Sequence, residues 1–221
     1  DTRVYTLNLC EMDKSMHFNP FPYIRNKSDI TKLVTNLIQN TNSPNIKNSS
    51  ADPFWEKAEK MFLESLFLYV WMECPKAYFN TEKGKVELLQ QNWKSILFLL
   101  DEAQFLDNDT SPKLDERMNE LARKKPDHPA VKAYQRYRGG PDDTIRSVIM
   151  TVNARMQPFD NEELLEIFSS NDIPLDEFGT GIDGDGKTKS NLFIIIPDDD
   201  DTFNFVPGMV YTMLFQELYR Q

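Results

Sequence analysis

Hydrophobic positions recur at helical spacing along most of this chain, and the longest such pattern is DPFWEKAEKMFLESLFLYVWMEC, from Asp52 to Cys74. Asp52 stands where an N-cap carboxylate accepts a bond from an orphan amide, and Pro53 stands at the first helical position, where a missing N–H costs nothing. The first turns place Phe54, Trp55, Ala58, Met61 and Phe62 on one side. From Leu66 to Met72 the pattern is apolar nearly all round, as in a helix enclosed by other helices, and Pro75 ends it. The uncharged run between Glu64 and Glu73 is far shorter than the roughly 20 residues of a membrane span.

The same periodicity predicts a helix capped by Ser28 over 28–40, one over 86–106 broken near Asn92, and one over 111–125 stopped by Pro126. His128-Pro129 begins another, ended by Gly139-Gly140. Pro141 opens the next, with Ile145, Val148, Ile149 and Val152 inward, and Asp160 caps a short helix over 162–168. The period changes at both ends. Residues 3–9 lack Gly and Pro and read as a mostly buried strand, followed by Asn19-Pro20-Phe21-Pro22, which forces an extended or turn conformation. Residues 191–197 form a continuous apolar run, as in a parallel-sheet strand covered on both faces, and 205–219 read as a final helix.

The expected fold is therefore mainly α: an all-α domain inserted between strands of a truncated α/β domain. Residues 1–27 and 181–221 form the flanks and residues 28–180 the insertion. The chain opens on Asp1 without a methionine and stops inside a helical pattern, so it reads as a fragment of a longer protein.

Composition narrows the function classes. With 221 residues, 40% of them hydrophobic, and 15 Phe, the chain can fill a real core. A formal charge of −10 disfavours unaided nucleic-acid binding unless cations gather on one face, and favours a protein partner. Cys10 and Cys74 are far apart, with only His17 and His128 in addition, so neither a zinc site nor a disulfide framework is suggested. No signal peptide or transmembrane segment appears.

Two motifs resemble nucleotide-binding elements. GIDGDGKT, from Gly181 to Thr188, fits G-x-x-x-x-G-K-[ST], with Lys187 and Thr188 in the phosphate and magnesium positions. A working loop follows a strand and opens a helix; this one precedes a strand, and Asp183 and Asp185 would oppose a polyphosphate. ILFLLDEA offers Asp101 and Glu102 as Walker B carboxylates, yet its polar and apolar positions alternate at helical intervals, and it precedes the loop it would serve. A P-loop nucleotide hydrolase using Lys187, Thr188, Asp101 and Glu102 stays as an alternative. The acidic run at Asp107 has Pro112 where a calcium loop needs Gly, and Asp198 to Asp201 read as a solvated turn. No catalytic constellation and no metal site emerges. Arg117, Arg123, Lys124, Lys125, Lys132, Arg136 and Arg138, interleaved with Tyr134 and Tyr137, form a basic region able to contact DNA phosphates, with Glu116, Glu120 and Asp127 among them.

The order of LNLCEMDKSMHFNPFPYI, DPFWEKAEKMFLESLFLYVW, PDHPAVKAYQRYRGGPDDTIRSVIMTVNARMQPF and LFIIIPDDDDTFNFVPGMVYTMLFQELY resembles the TraG/TraD-type coupling proteins of conjugative type IV secretion, particularly those on mobile elements of Gram-positive bacteria. The resemblance covers nearly the whole chain. It implies a membrane-anchored hexameric ATPase, with ATP and Mg bound by the parent protein, that brings a relaxase–DNA substrate to the secretion channel. It further implies that an all-α domain is inserted in a RecA-like motor, and that the true P-loop and Walker B strand lie outside these residues. This chain would then hold no catalytic or cofactor residues. It would face the cytoplasm at the membrane without touching it, and bind a relaxase or relaxosome accessory protein, with DNA as a further partner.

Overall fold

The β-formers near the start of the chain make β1 (Thr2–Asn8) and the late apolar run makes β2 (Lys189–Ile195). Although most of the chain separates them, they pair in parallel, Thr2 opposite Lys189 and Asn8 opposite Ile195. The computed structural model describes residues 2–41, 53–75, 89–105, 111–199 and 202–221. Between the strands come α1 (Lys27–Asn40), α2 (Pro53–Glu73), α3 (Trp93–Glu102), α4 (Lys113–Lys124) and α5 (Pro129–Arg138). They are followed by α6 (Asp142–Met156), α7 (Glu162–Ile167) and the single turn α8 (Glu177–Thr180), and α9 (Phe205–Leu218) follows β2. The described protein is thus mainly helical with a small parallel strand pair.

Local chemistry places most helix ends, with some corrections to the sequence reading. The first helix is capped not by Ser28 but by Asn26, in a reciprocal capping box with Asp29. Asn92, expected as a break, is the N-cap of α3, its side chain accepting from the Ser95 amide at 3.1 Å, and Gln90 and Gln91 before it are not helical. Asn161 rather than Asp160 caps α7, accepting from the Glu163 and Leu164 amides; Asp160 is the last residue of a preceding 3-10 turn. His128 caps α5 as read, its Nδ1 accepting from the Ala130 amide at 3.2 Å. The expected cap at Asp52, the polar loop at 42–51 and the acidic run from Asp107 to Asp109 lie outside the described residues.

Helix α2 is the rod around which the rest is built. Phe62, Leu63, Leu66, Phe67 and Val70 are fully enclosed, and α1, α3, α5 and α6 pack on it. Phe62 stacks on Tyr137 with centroids 4.6 Å apart, and Phe67 meets Trp93 edge-on at 5.3 Å. Trp93 in turn stacks on Phe159 at 4.6 Å and leans on Phe168 at 5.2 Å. Helix α4 packs on α3 and α5, and reaches α2 through side chains, with Arg117 over the Tyr69 ring. The start of α2 differs from expectation: Phe54 and Trp55 are exposed and contact each other edge-on instead of entering the core.

The chain leaves β1 and turns back beside it. The Met16 amide donates to Thr6 O at 3.0 Å and the Asn8 amide to Ser15 Oγ at 2.9 Å, so this segment lines the edge of β1 opposite β2. The Asn-Pro-Phe-Pro stretch then makes a 3-10 turn at Phe21–Tyr23 that buries Phe21 and Tyr23, with Asn19 Oδ1 holding the Phe21 amide and Asn19 Nδ2 donating to Gln91 O. Residues returning from α7 run alongside. Phe18 N donates to Ile167 O, Asp172 N donates to His17 O, and the Tyr23 hydroxyl donates to Ile173 O at 2.5 Å while accepting from Asn171 Nδ2 at 2.6 Å. Outgoing and returning chains are thereby clasped into one neck.

Candidate functional site

The residues that mimic a phosphate loop are positioned by a turn that closes on itself. Gly181 has φ +79°, and a Cβ there would collide with the Asp185 carboxylate, so glycine is required. After a 3-10 turn, the Asp185 carboxylate accepts from the amides of Lys187 and Thr188, both at 2.9 Å, and from the Thr188 hydroxyl. Those bonds, the hydroxyl first, hold the Asp185 carboxyl below its usual range. The amides that would have to face a phosphate already face a carboxylate. The chain continues into β2 rather than a helix, and Lys187 is exposed.

Asp101 and Glu102 lie in the last turn of α3, a helix whose Ile96, Leu99 and Leu100 are buried. Asp101 is exposed. Glu102 grips Arg117 of α4 through two bonds of 2.6 Å, and these raise the guanidinium's pKa. Among the described residues, Glu102 pairs with Arg117 and the loop's Asp185 pairs with its own Lys187 and Thr188. The four residues of the hydrolase alternative thus lie on separate elements, Asp101 and Glu102 at the end of α3 and Lys187 and Thr188 in the turn before β2. Among the described residues no cluster of His, Cys, Asp and Glu is placed to hold a metal ion.

The basic region on α4 and α5 is largely neutralised from within. Besides Arg117, Arg138 bonds Asp115 twice, at 2.9 and 2.8 Å. Lys124 pairs with Glu120, Lys125 with Glu73, and Lys132 with Asp127, each within 2.7 Å. Arg123 and Arg136 are exposed and carry no such pair. The interleaved Tyr134 and Tyr137 are buried, with burial raising both phenol pKa values, so they serve the core and do not offer rings for base stacking. The i, i+4 spacing of Lys132 and Arg136 was visible in the sequence; that Lys27 of α1 stands across from them was not.

Beyond these polar groups the surface carries unpartnered apolar side chains. Tyr5, Leu7, Leu192 and Ile194 face the helices, while Val4, Phe193 and Ile195 point to solvent on the other face of the strand pair, Phe193 being 54% exposed. The expectation of a strand covered on both faces therefore fails for β2 among the described residues. Its edge away from β1 makes no ladder either. Tyr211, Phe215 and Tyr219 form an exposed ladder on α9 with centroids 6.5 Å apart.

These features describe a mainly helical protein around one central helix, with a parallel strand pair whose outer face and edge are bare. A family model for type IV secretory system conjugative DNA transfer matches residues 1–221, the full length of the chain. The chain belongs to that family and has a role in conjugative DNA transfer, in agreement with its resemblance to TraG/TraD-type coupling proteins. No curated protein matches it. Among the described residues no helix is long and apolar enough to cross a membrane.

Proposed function

We propose that this chain is the substrate-recognition part of a conjugative coupling ATPase: a helical block that binds a relaxase or relaxosome accessory protein, carried between two strands of a RecA-like motor. The observation that carries the reading is the parallel pairing of β1 with β2 across the whole helical block, in a chain that matches the conjugative DNA transfer family from end to end. Parallel sheets are normally covered on both faces. The bare face of Val4, Phe193 and Ile195 and the open edge of β2 suit further strands and helices of a motor.

In this reading ATP and magnesium belong to motor residues of the parent protein, which works as a hexamer at the cytoplasmic face of the membrane. The helical block contributes its outer surface. The chain's net charge of −10 favours basic partners and disfavours free DNA. Immobilised chain should retain the cognate relaxase or an accessory protein from a purified relaxosome, measured by calorimetry for each component. Failure to bind any component would remove the receptor role while leaving the family assignment intact.

A further inference from the structure

Helices α2 and α5 run antiparallel: Glu73 of α2 lies 3.0 Å from His128 at the start of α5, and Phe62 stacks on Tyr137 near its end. With α1 alongside, they enclose a surface groove of about 280 Å³. Lys27 of α1 stands on one wall, and Lys132 and Arg136, one turn apart on α5, stand on the other. Leu68 and Glu64 of α2 and Ala133 of α5 line the space between. Lys27 and Arg136 are exposed and neither is engaged in a hydrogen bond or ion pair. Lys132 is held only by the fully solvated Asp127. In a chain of net charge −10, a groove lined by two unpaired cations, aliphatic side chains and one carboxylate, Glu64, is a local reversal of sign.

Such a groove favours an anionic occupant through charge complementarity. Its floor then discriminates between anions. Single strands are held through aromatic platforms as well as cations, and no aromatic side chain lines this groove. The Glu64 carboxylate between the walls would oppose a continuous row of phosphates, whereas it can accept the amide N–H groups of a peptide. Leu68 and Ala133 offer a small apolar side chain a place to sit.

We propose that the groove between α1, α2 and α5 docks an acidic, partly aliphatic peptide segment of a partner protein, its carboxylates meeting Lys27 on one side and Lys132 and Arg136 on the other. This deepens the recognition role proposed above and rests on it for the partner's identity, but not for the binding chemistry. The test is fluorescence anisotropy with the full chain and a labelled peptide of alternating glutamate and leucine, beside its lysine-for-glutamate counterpart and a labelled oligothymidylate. The acidic peptide should bind and the basic one should not. Lys27→Glu with Arg136→Glu should weaken binding about tenfold or more, as expected for two lost charge contacts. Both are exposed positions, and an unchanged circular dichroism spectrum verifies the fold. Glu64→Gln should raise oligothymidylate binding more than peptide binding. Absence of peptide binding, binding indifferent to the double reversal, or oligothymidylate binding tighter than the peptide's would each overturn the proposal. Absence of peptide binding with relaxosome capture intact would be a failure of this inference alone; peptide binding without relaxosome capture would be a failure of the recognition reading alone.

Discussion

The Arg155 guanidinium sits 2.7 Å from the Glu59 carboxylate with both side chains more than nine-tenths buried, and the same Arg155 donates to Ile38 O and to Thr41 Oγ1 at 2.8 Å. One side chain on α6 thus ties α2 to the final turn of α1. Removing a single partner strands the other charge in the interior, so Glu59→Gln or Arg155→Met should each destabilise the fold by about 3–5 kcal/mol. Urea unfolding of the double substitution should show a smaller loss than the sum of the singles. A strictly additive result would mean that the two charges do not depend on one another.

Trp93 has no exposure and contacts Phe67, Phe159 and Phe168. Trp93→Ala should cost about 3–5 kcal/mol, read as a lower denaturation midpoint. Trp55, at 38% exposure, should tolerate the same change with little effect.

Alkaline stability should depend on the neck. Burial pushes the Tyr23 phenol from 10.0 up to about 12. A raised folded-state value means that its contribution is complete below pH 10, falls as pH rises from there, and is gone above about 12. Tyr23→Phe should therefore flatten the stability profile between those limits. It should also lower stability at neutral pH by about 1–2 kcal/mol, because it removes the bonds to Ile173 O and Asn171 Nδ2.

The acid limb should report His128. Its Nδ1 accepts from the Ala130 amide, so Nε2 carries the proton toward Glu73. Burial, the largest influence, pushes the imidazole below its ordinary 6.5 despite that carboxylate. A base with a lowered folded-state value contributes stability above the unfolded value and loses it as pH falls below about 6.5. His128→Asn keeps a capping side chain and should reduce the slope of denaturation midpoint against pH on the acid side.

The thiols should separate cleanly. Cys10 is exposed, while Cys74 is buried and its thiol is pushed up to about 11, chiefly by burial. A thiol-specific reagent at neutral pH should titrate Cys10 at once and Cys74 only on unfolding.

Much of the helical framework was legible because its signals are local. Periodicity located α2 and α9, and the proline, glycine and histidine punctuation around α5 set its ends within a residue. Cap identity was less legible: Ser28 and Asp160 are good caps by type, but Asn26 and Asn161 take the role once the chain direction on entry is fixed. The context of GIDGDGKT argued against a phosphate loop, but nothing in the sequence revealed that Asp185 occupies its own amides. Glu120 and Asp127 were legible as acidic neighbours of the basic region, but the pairings with Glu73, Glu102 and Asp115 were not, because those carboxylates come from up to two helices away. For the same reason the groove of Lys27, Lys132 and Arg136 was invisible, since α1 and α5 are far apart in sequence and meet only by packing on α2.

The parallel register of β1 and β2 bears on how the helical block could be removed. The chain leaves at Asn8, opposite Ile195, and must enter at Lys189, opposite Thr2, a backward journey of about 20 Å along the strands. A tight turn cannot span it, so replacing the whole connection with a short linker would dissolve the pair. The neck offers another cut: Asn19 N donates to Asn171 Oδ1 at 3.1 Å. A chain joined there would omit α1 to α7, keep the return path through α8, and leave the strands in register, turning the block into a cassette exchangeable for that of another transfer system.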